Sequence, residues 1–197
     1  LIRPLYPEIV AASSVIETGL SNMNAVFHPP GMLMNAGWIE HSGGDFLFYR
    51  EGITEAVGQV VSALDAERVE IARSLGVPTR SFLETFHAAG LTTDAALASG
   101  SVALACRESE PNKTLTSPPS LDHRYVHEDV GYGLVPMTAF AGLAGTRCPV
   151  IYAHIDLLSA AAGIDYRANG LTLEMMGLDG MSPGDVLNFV TEGRSPT

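Results

Sequence analysis

Two consecutive prolines, Pro29-Pro30, set inside the apolar stretch from Ser21 to Trp38, restrict this chain more than any other feature. Proline has no N–H with which to continue a helix, and it pushes the residue before it out of helical backbone geometry. Upstream, Ile9, Val10, Val15, Ile16 and Leu20 recur at helical spacing. The pattern therefore predicts a helix from about Glu8 toward Phe27 that stops before the prolines. Asn24 and His28 lie four residues apart on one face of it, and His28 falls on the frayed last turn, where its ring can face a cavity. That position suits an acid/base imidazole, and it equally suits a histidine that satisfies the last carbonyls of a helix. Only a partner elsewhere in the chain decides between them.

Beyond the prolines, Gly31 to His41 reads as a second helix forming a kinked pair with the first and ended by Ser42-Gly43-Gly44. Phe46 to Tyr49 has no strand partner and reads as an extended connector. A long helix follows from about Thr54 to Leu75, with Gly76 just past its end; Asp65-Ala66-Glu67-Arg68 interrupts the apolar pattern and predicts a kink or a boundary. Short helices are expected over Pro78 to Ala89 and Thr93 to Cys106, the second capped by Thr93 or Thr92 and broken at Gly100-Ser101. Arg107 to Asp122, rich in Ser, Thr and Pro, is the longest loop. Apolar segments at Leu134 to Leu143, Val150 to Ala162 and Leu171 to Leu178 precede a last helix that starts at Ser182-Pro183-Gly184-Asp185. Almost nothing pairs as strands, and no repeat recurs at a fixed period, so the expected class is a single all-α domain over residues 1–197.

With 46% hydrophobic residues in 197, the chain can build one generous core. A net charge of -11 with only 11 Lys and Arg excludes a surface that collects phosphates, hence nucleic acid and anionic membrane as partners. The uncharged run from Val130 to Thr146 contains Pro136 and is too short to cross a bilayer. Cys106 and Cys148 make neither a metal quartet nor a disulfide framework, which points to reduced thiols and a cytoplasmic location. The opening Leu1-Ile2-Arg3-Pro4 has no initiating Met and no signal-peptide order, as expected of a piece of a longer protein.

Titratable residues crowd into Asp122-His123-Arg124-Tyr125-Val126-His127-Glu128-Asp129, just after the long loop. His123 and His127 with Glu128 or Asp129 could start a metal site, but no third ligand stands at a fixed spacing, and none is expected. A solvated turn, with Arg124 paired to Glu128 or Asp129 and capping the next helix, is the plainer alternative.

In order along the chain, Asn24-x-x-x-His28-Pro29, Asn35, Glu51-Gly52-Ile53-Thr54 and Arg124-Tyr125-x-x-Glu128-Asp129-Val130-x-x-Gly133-Leu134-Val135-Pro136 resemble the C-terminal helical domain of the octopine/nopaline (opine) dehydrogenase family. The resemblance runs from about Val15 to Leu178 and implies a multi-helix domain like the C-terminal domain of 6-phosphogluconate dehydrogenase-like enzymes. It implies a catalytic dyad of His28 and Asp129, with Arg124 binding the substrate; Asn24, one turn from His28, is expected to line the same pocket. The implied reaction condenses an amino acid with a 2-oxo acid such as pyruvate and reduces the imine with hydride from NADH or NADPH. A guanidinium can hold the oxo-acid carboxylate, an imidazole can protonate the carbonyl oxygen or the imine, and a carboxylate behind it can set its tautomer. No strand-G-x-G-x-x-G-helix signature occurs. In the family the dinucleotide-binding domain precedes the helical one, so it is expected outside this chain, as the helical domain's main partner. Two alternatives stand beside this reading. A ketopantoate reductase-like 2-oxo acid reductase would use a Lys on the catalytic helix, and none occurs before Lys113. A non-catalytic helical module, serving as a homodimer interface, would keep His28 and Asp129 apart.

Overall fold

The computed structural model describes residues 4–7 and 9–193; Glu8, the expected start of the first helix, lies outside them. The chain is helical, and among the described residues the only strand-like pairing is an isolated antiparallel bridge between Leu47 and Thr116. No helix among them is long and apolar enough to cross a membrane. Among the described residues, twelve α-helical segments follow one another: α1 Val15–Leu20, α2 Asn24–Met34, α3 Ala36–Ser42, α4 Glu55–Ser74, α5 Phe82–Ala88, α6 Asp94–Ser99, α7 Val102–Arg107, α8 Arg124–Asp129, α9 Val135–Ala144, α10 Pro149–Ala162, α11 Tyr166–Asn169 and α12 Pro183–Glu192. Two π-helical turns, Phe48–Gly52 and Val130–Leu134, stand before α4 and between α8 and α9.

The first helix expected from the sequence is two. Ser14 caps α1 and Ser21 ends it, and a new helix, α2, begins at Asn24 and runs straight through Pro29 and Pro30. Two prolines inside a helix remove the N–H groups that Ala25 and Val26 would accept from, a penalty on the order of 3 kcal/mol each in an exposed helix. Burial outweighs it here: every residue from Ala25 to Met32 is buried. His28 therefore sits in the middle of a buried helix and not on a frayed last turn. The break falls later, at Asn35, whose amide donates to the carbonyls of Gly31 (2.8 Å) and Gly52 (2.9 Å) and so ties α2 to the first π-helical turn.

The central helix α4 packs against α2, α7, α9 and α10. It is unbroken, and the polar tetrad at 65–68 binds its neighbours where a kink was expected. Asp65 accepts from Arg68 (2.6 Å) and from the backbone of Phe82 at the start of α5 (2.7 Å). Arg68, 1% exposed, also donates to the carbonyls of Leu20 and Arg80. Glu67 accepts from the N–H groups of Val150 and Ile151, both at 2.9 Å, and so caps α10 with a negative charge where the helix dipole favours one. Ser81 with Glu84, and Ser182 with Asp185, form reciprocal capping boxes, while Thr54 and Thr93 cap α4 and α6. Leu171 to Leu178 is turns and not helix, held in part by Leu171 N–H donating to Gly131 O at 2.8 Å. Gly131 is free to accept because the residue five positions on is Pro136, which has no N–H. Both cysteines are free and buried; burial raises the Cys106 thiol well above its ordinary range and the Cys148 thiol to about 11.

Candidate active site

The two crowded segments meet. His28 Nδ1 and Asp129 Oδ2 are 2.8 Å apart, across 101 residues of sequence, with the side chains only 7% and 13% exposed. Asp129 can only accept while ionised, so the proton of the bond sits on Nδ1 and the lone pair of the neutral imidazole is on Nε2. Nε2 makes no hydrogen bond to any described residue. The one buried, unpartnered side-chain N or O among them is His154 Nε2, so His28 Nε2 still reaches solvent. The pair is thus an imidazole oriented by a carboxylate and open at its other nitrogen. The non-catalytic module, which expected the two residues apart, loses its support.

The elements that hold the pair explain its geometry. Asp129 ends α8 at the entrance to the π-helical turn Val130–Leu134, whose extra residue swings the following backbone so that Gly133 lies against α2. A Cβ at Gly133 would stand 2.5 Å from Ala25 Cβ, so the absent side chain lets α8 and its π-helical turn approach α2 closely enough for His28 to reach Asp129. Gly31 does the same on the other flank: a Cβ there would meet the Phe48 ring at 2.5 Å. Phe48, Phe27 and Tyr125 surround the imidazole. Tyr125 lies parallel to it, centroids 3.6 Å apart at 11°, while Phe27 and Phe48 stand at 5.6 and 6.4 Å, steeply inclined.

Around the dyad the other expected site residues divide. Arg124 opens α8, is 67% exposed and pairs with Glu128 (3.1 Å), the surface contact of the plainer alternative. Asn24 is exposed at the first residue of α2, one turn before His28. Glu51 accepts from Leu47 N–H at 2.6 Å, and Thr54 caps α4, so the Glu51-to-Thr54 motif is a folding signal for the turn that seats Phe48. His123 caps α8 by accepting the Tyr125 N–H on Nδ1 (3.2 Å), and burial, then the positive charges of His28 and Arg124, hold its pKa below the ordinary histidine value. His127 is engaged at both nitrogens, with Tyr166 Oη at 2.7 Å and Asp122 at 2.8 Å. The two histidines do not converge, and among the described residues no three His, Cys, Asp or Glu side chains come together as a metal set. The sequence assigns no role to Tyr166, and for Tyr125 its one signal is its place in the Arg124-Tyr125-x-x-Glu128-Asp129 motif. Among the described residues no strand leads into a glycine-rich turn.

A family model described as NAD/NADP octopine/nopaline dehydrogenase, alpha-helical domain, matches residues 11–162. An opine dehydrogenase of Arthrobacter sp. (strain 1C) is 34% identical over 189 residues, which are 96% of this chain and 51% of that protein. A vitopine synthase of Allorhizobium ampelinum is 31% identical over 168 residues, covering 83% of this chain and 44% of the relative. The fold matches an octopine dehydrogenase solved with NADH and L-arginine, with a TM-score of 0.70 at 18% identity, over 98% of this chain and 52% of that one. The chain spans about half the length of the curated relatives it matches.

Proposed function

The chain belongs to the octopine/nopaline dehydrogenase family, as its alpha-helical domain, and on that premise we propose that it supplies the proton-transfer and substrate-binding half of an NAD(P)-dependent opine dehydrogenase. The observation that carries this reading is the His28–Asp129 pair, buried, 2.8 Å apart and open at Nε2. Its partner in this reading is a dinucleotide-binding domain of the same parent protein. The relatives are about twice as long as the matched region, which leaves room in them for such a domain.

Bound NADH or NADPH supplies hydride to the carbon of the imine. The residues of this chain do the rest. His28, charged, donates from Nε2 to the carbonyl oxygen as the amine adds or to the imine nitrogen as hydride arrives, and takes the proton back in the reverse direction. Asp129 keeps the proton on Nδ1 in the neutral form and stabilises the imidazolium. Arg124, exposed and held by a surface glutamate alone, can exchange Glu128 for the carboxylate of the 2-oxo acid, since an exposed ion pair of this kind is worth roughly 0–1 kcal/mol. Asn24 lines the same side of α2 for the amino acid. The low positive charge and the absence of a membrane-crossing helix among the described residues fit an enzyme of the cytoplasm acting on small molecules.

The test is NADH and NADPH oxidation by the parent protein with pyruvate alone and with pyruvate plus a panel of amino acids. Oxidation that requires both substrates supports the reading. Oxidation by the oxo acid alone replaces it with a simple 2-oxo acid reductase, and no oxidation with any pair refutes it. A homodimer of the parent protein is part of the proposal, and light scattering on the same preparation tests it.

A further inference from the structure

The covalent tether at Cβ and the Nδ1 bond to Asp129 set the mean orientation of the His28 ring, and what packs on its faces sets how far the ring rocks about it. The phenol ring of Tyr125 lies over the imidazole at 3.6 Å and 11°, close to full face-to-face overlap. Tyr125 is itself pinned: its N–H goes to His123 Nδ1, the His123 ring stands against it at 4.6 Å and 87°, and Phe48 packs at 5.7 Å. Two neutral rings avoid full overlap because their negative faces repel, whereas a cationic ring is drawn to such a face. The parallel stack therefore suits His28 with its proton better than His28 without it.

We propose that Tyr125 is a positioning residue for the acid/base: its ring holds the imidazole plane so that Nε2 keeps one direction, and its π face favours the protonated imidazole over the neutral one. This rests on the dehydrogenase reading for its catalytic consequence but not for its effect on His28. The titratable and charged groups around the imidazole are Asp129, Tyr125, Arg124 with Glu128 on α8, His123 at its cap, and Tyr49 on the first π-helical turn. Burial raises both phenols, so neither competes by ionising near neutral pH, and burial holds the His123 pKa below its ordinary value.

The experiment has two arms, each run on wild type, Tyr125→Phe, Tyr125→Met and Tyr125→Leu, Met being the variant that keeps the bulk if Leu does not fold. In the chain as it stands, the His28 imidazole is titrated by NMR. The midpoint is expected to be unchanged in Tyr125→Phe and to fall by about half a unit to one unit in the aliphatic variants. In the parent dehydrogenase, kcat is expected within about threefold of wild type for Tyr125→Phe. For the aliphatic variants it should fall about 10- to 100-fold with little change in KM, the pattern of a misaimed proton donor. An unshifted midpoint in Tyr125→Met overturns the inference, as does a Tyr125→Phe variant as impaired as the aliphatic ones, which would assign the role to the hydroxyl. A shifted midpoint together with a parent protein inactive on every substrate pair upholds the stack and refutes the dehydrogenase reading.

Discussion

The short helix α8 carries two histidine–carboxylate contacts made from opposite sides of it, and they are built for opposite purposes. His28 meets Asp129 through Nδ1 alone, under cover, with Nε2 open. His127 spends both nitrogens, one on Asp122, itself 94% exposed, and one on the buried Tyr166. A histidine engaged at both ends has no nitrogen left to face a substrate, so the second contact is a brace between the long loop, α8 and α11. Under the proposed function, the same residue type with one nitrogen withheld serves as an acid/base. Counting histidines beside carboxylates would not tell them apart; counting engaged nitrogens does.

The sharpest way to break this comparison is to remove each ring in turn. On the proposed function, His28→Gln or Asp129→Asn should lower kcat of the parent protein by about 10²- to 10⁴-fold while the urea midpoint stays near wild type. Activity within tenfold would make the buried pair another brace. Arg124→Met comes next: kcat/KM for the oxo acid is expected to fall about 10- to 100-fold, with stability changed by less than about 0.5 kcal/mol because only an exposed pair is lost. A purely surface role for Arg124 would leave both unmoved. His127→Phe should do the reverse, costing about 1 kcal/mol in urea unfolding with kcat/KM preserved.

The smallest effect concerns His154, which adds a third case. Its Nδ1 donates to Val150 O at 3.0 Å and its Nε2 is free, but free inside the core, hydrogen-bonded to no carboxylate and with no solvent in front. Burial holds its pKa below the ordinary 6.5. Above 6.5 both folded and unfolded forms are neutral and nothing is lost. As pH falls through that value the unfolded chain binds a proton that the folded one resists, so stability declines toward the lower folded pKa. His154→Leu should flatten that part of the acid limb, as read from denaturation midpoints between about pH 7 and 5. An unchanged limb would show that His154 is not the group responsible.

Much of the helical frame was legible because its signals are local. Thr54, Thr93, Ser182 and the Gly100-Ser101 break lie within a turn of what they control. Pro29-Pro30 misled for the converse reason: a local veto was overridden by the burial of the whole of α2, which no window of sequence contains. Leu171 to Leu178 is apolar because it covers the core, not because it is helical. At the site, His28 and Asp129 could be paired in advance only by resemblance, being 101 positions apart. The stack of Tyr125 and the bond from His127 to Tyr166 depend on ring orientation and on a contact 39 residues distant, and neither leaves a periodic trace.

The missing methyl at position 133 makes the dyad's spacing a mechanical quantity. Ala25 and His28 ride on one rod, Gly133 and Asp129 on another, and the rods touch where a Cβ would stand 2.5 Å from its neighbour. That contact acts as a fulcrum. Any side chain placed there is a wedge that opens the far end of the lever, so Gly133→Ala would change the distance between His28 and Asp129 from outside the pair, without altering a single atom of either side chain.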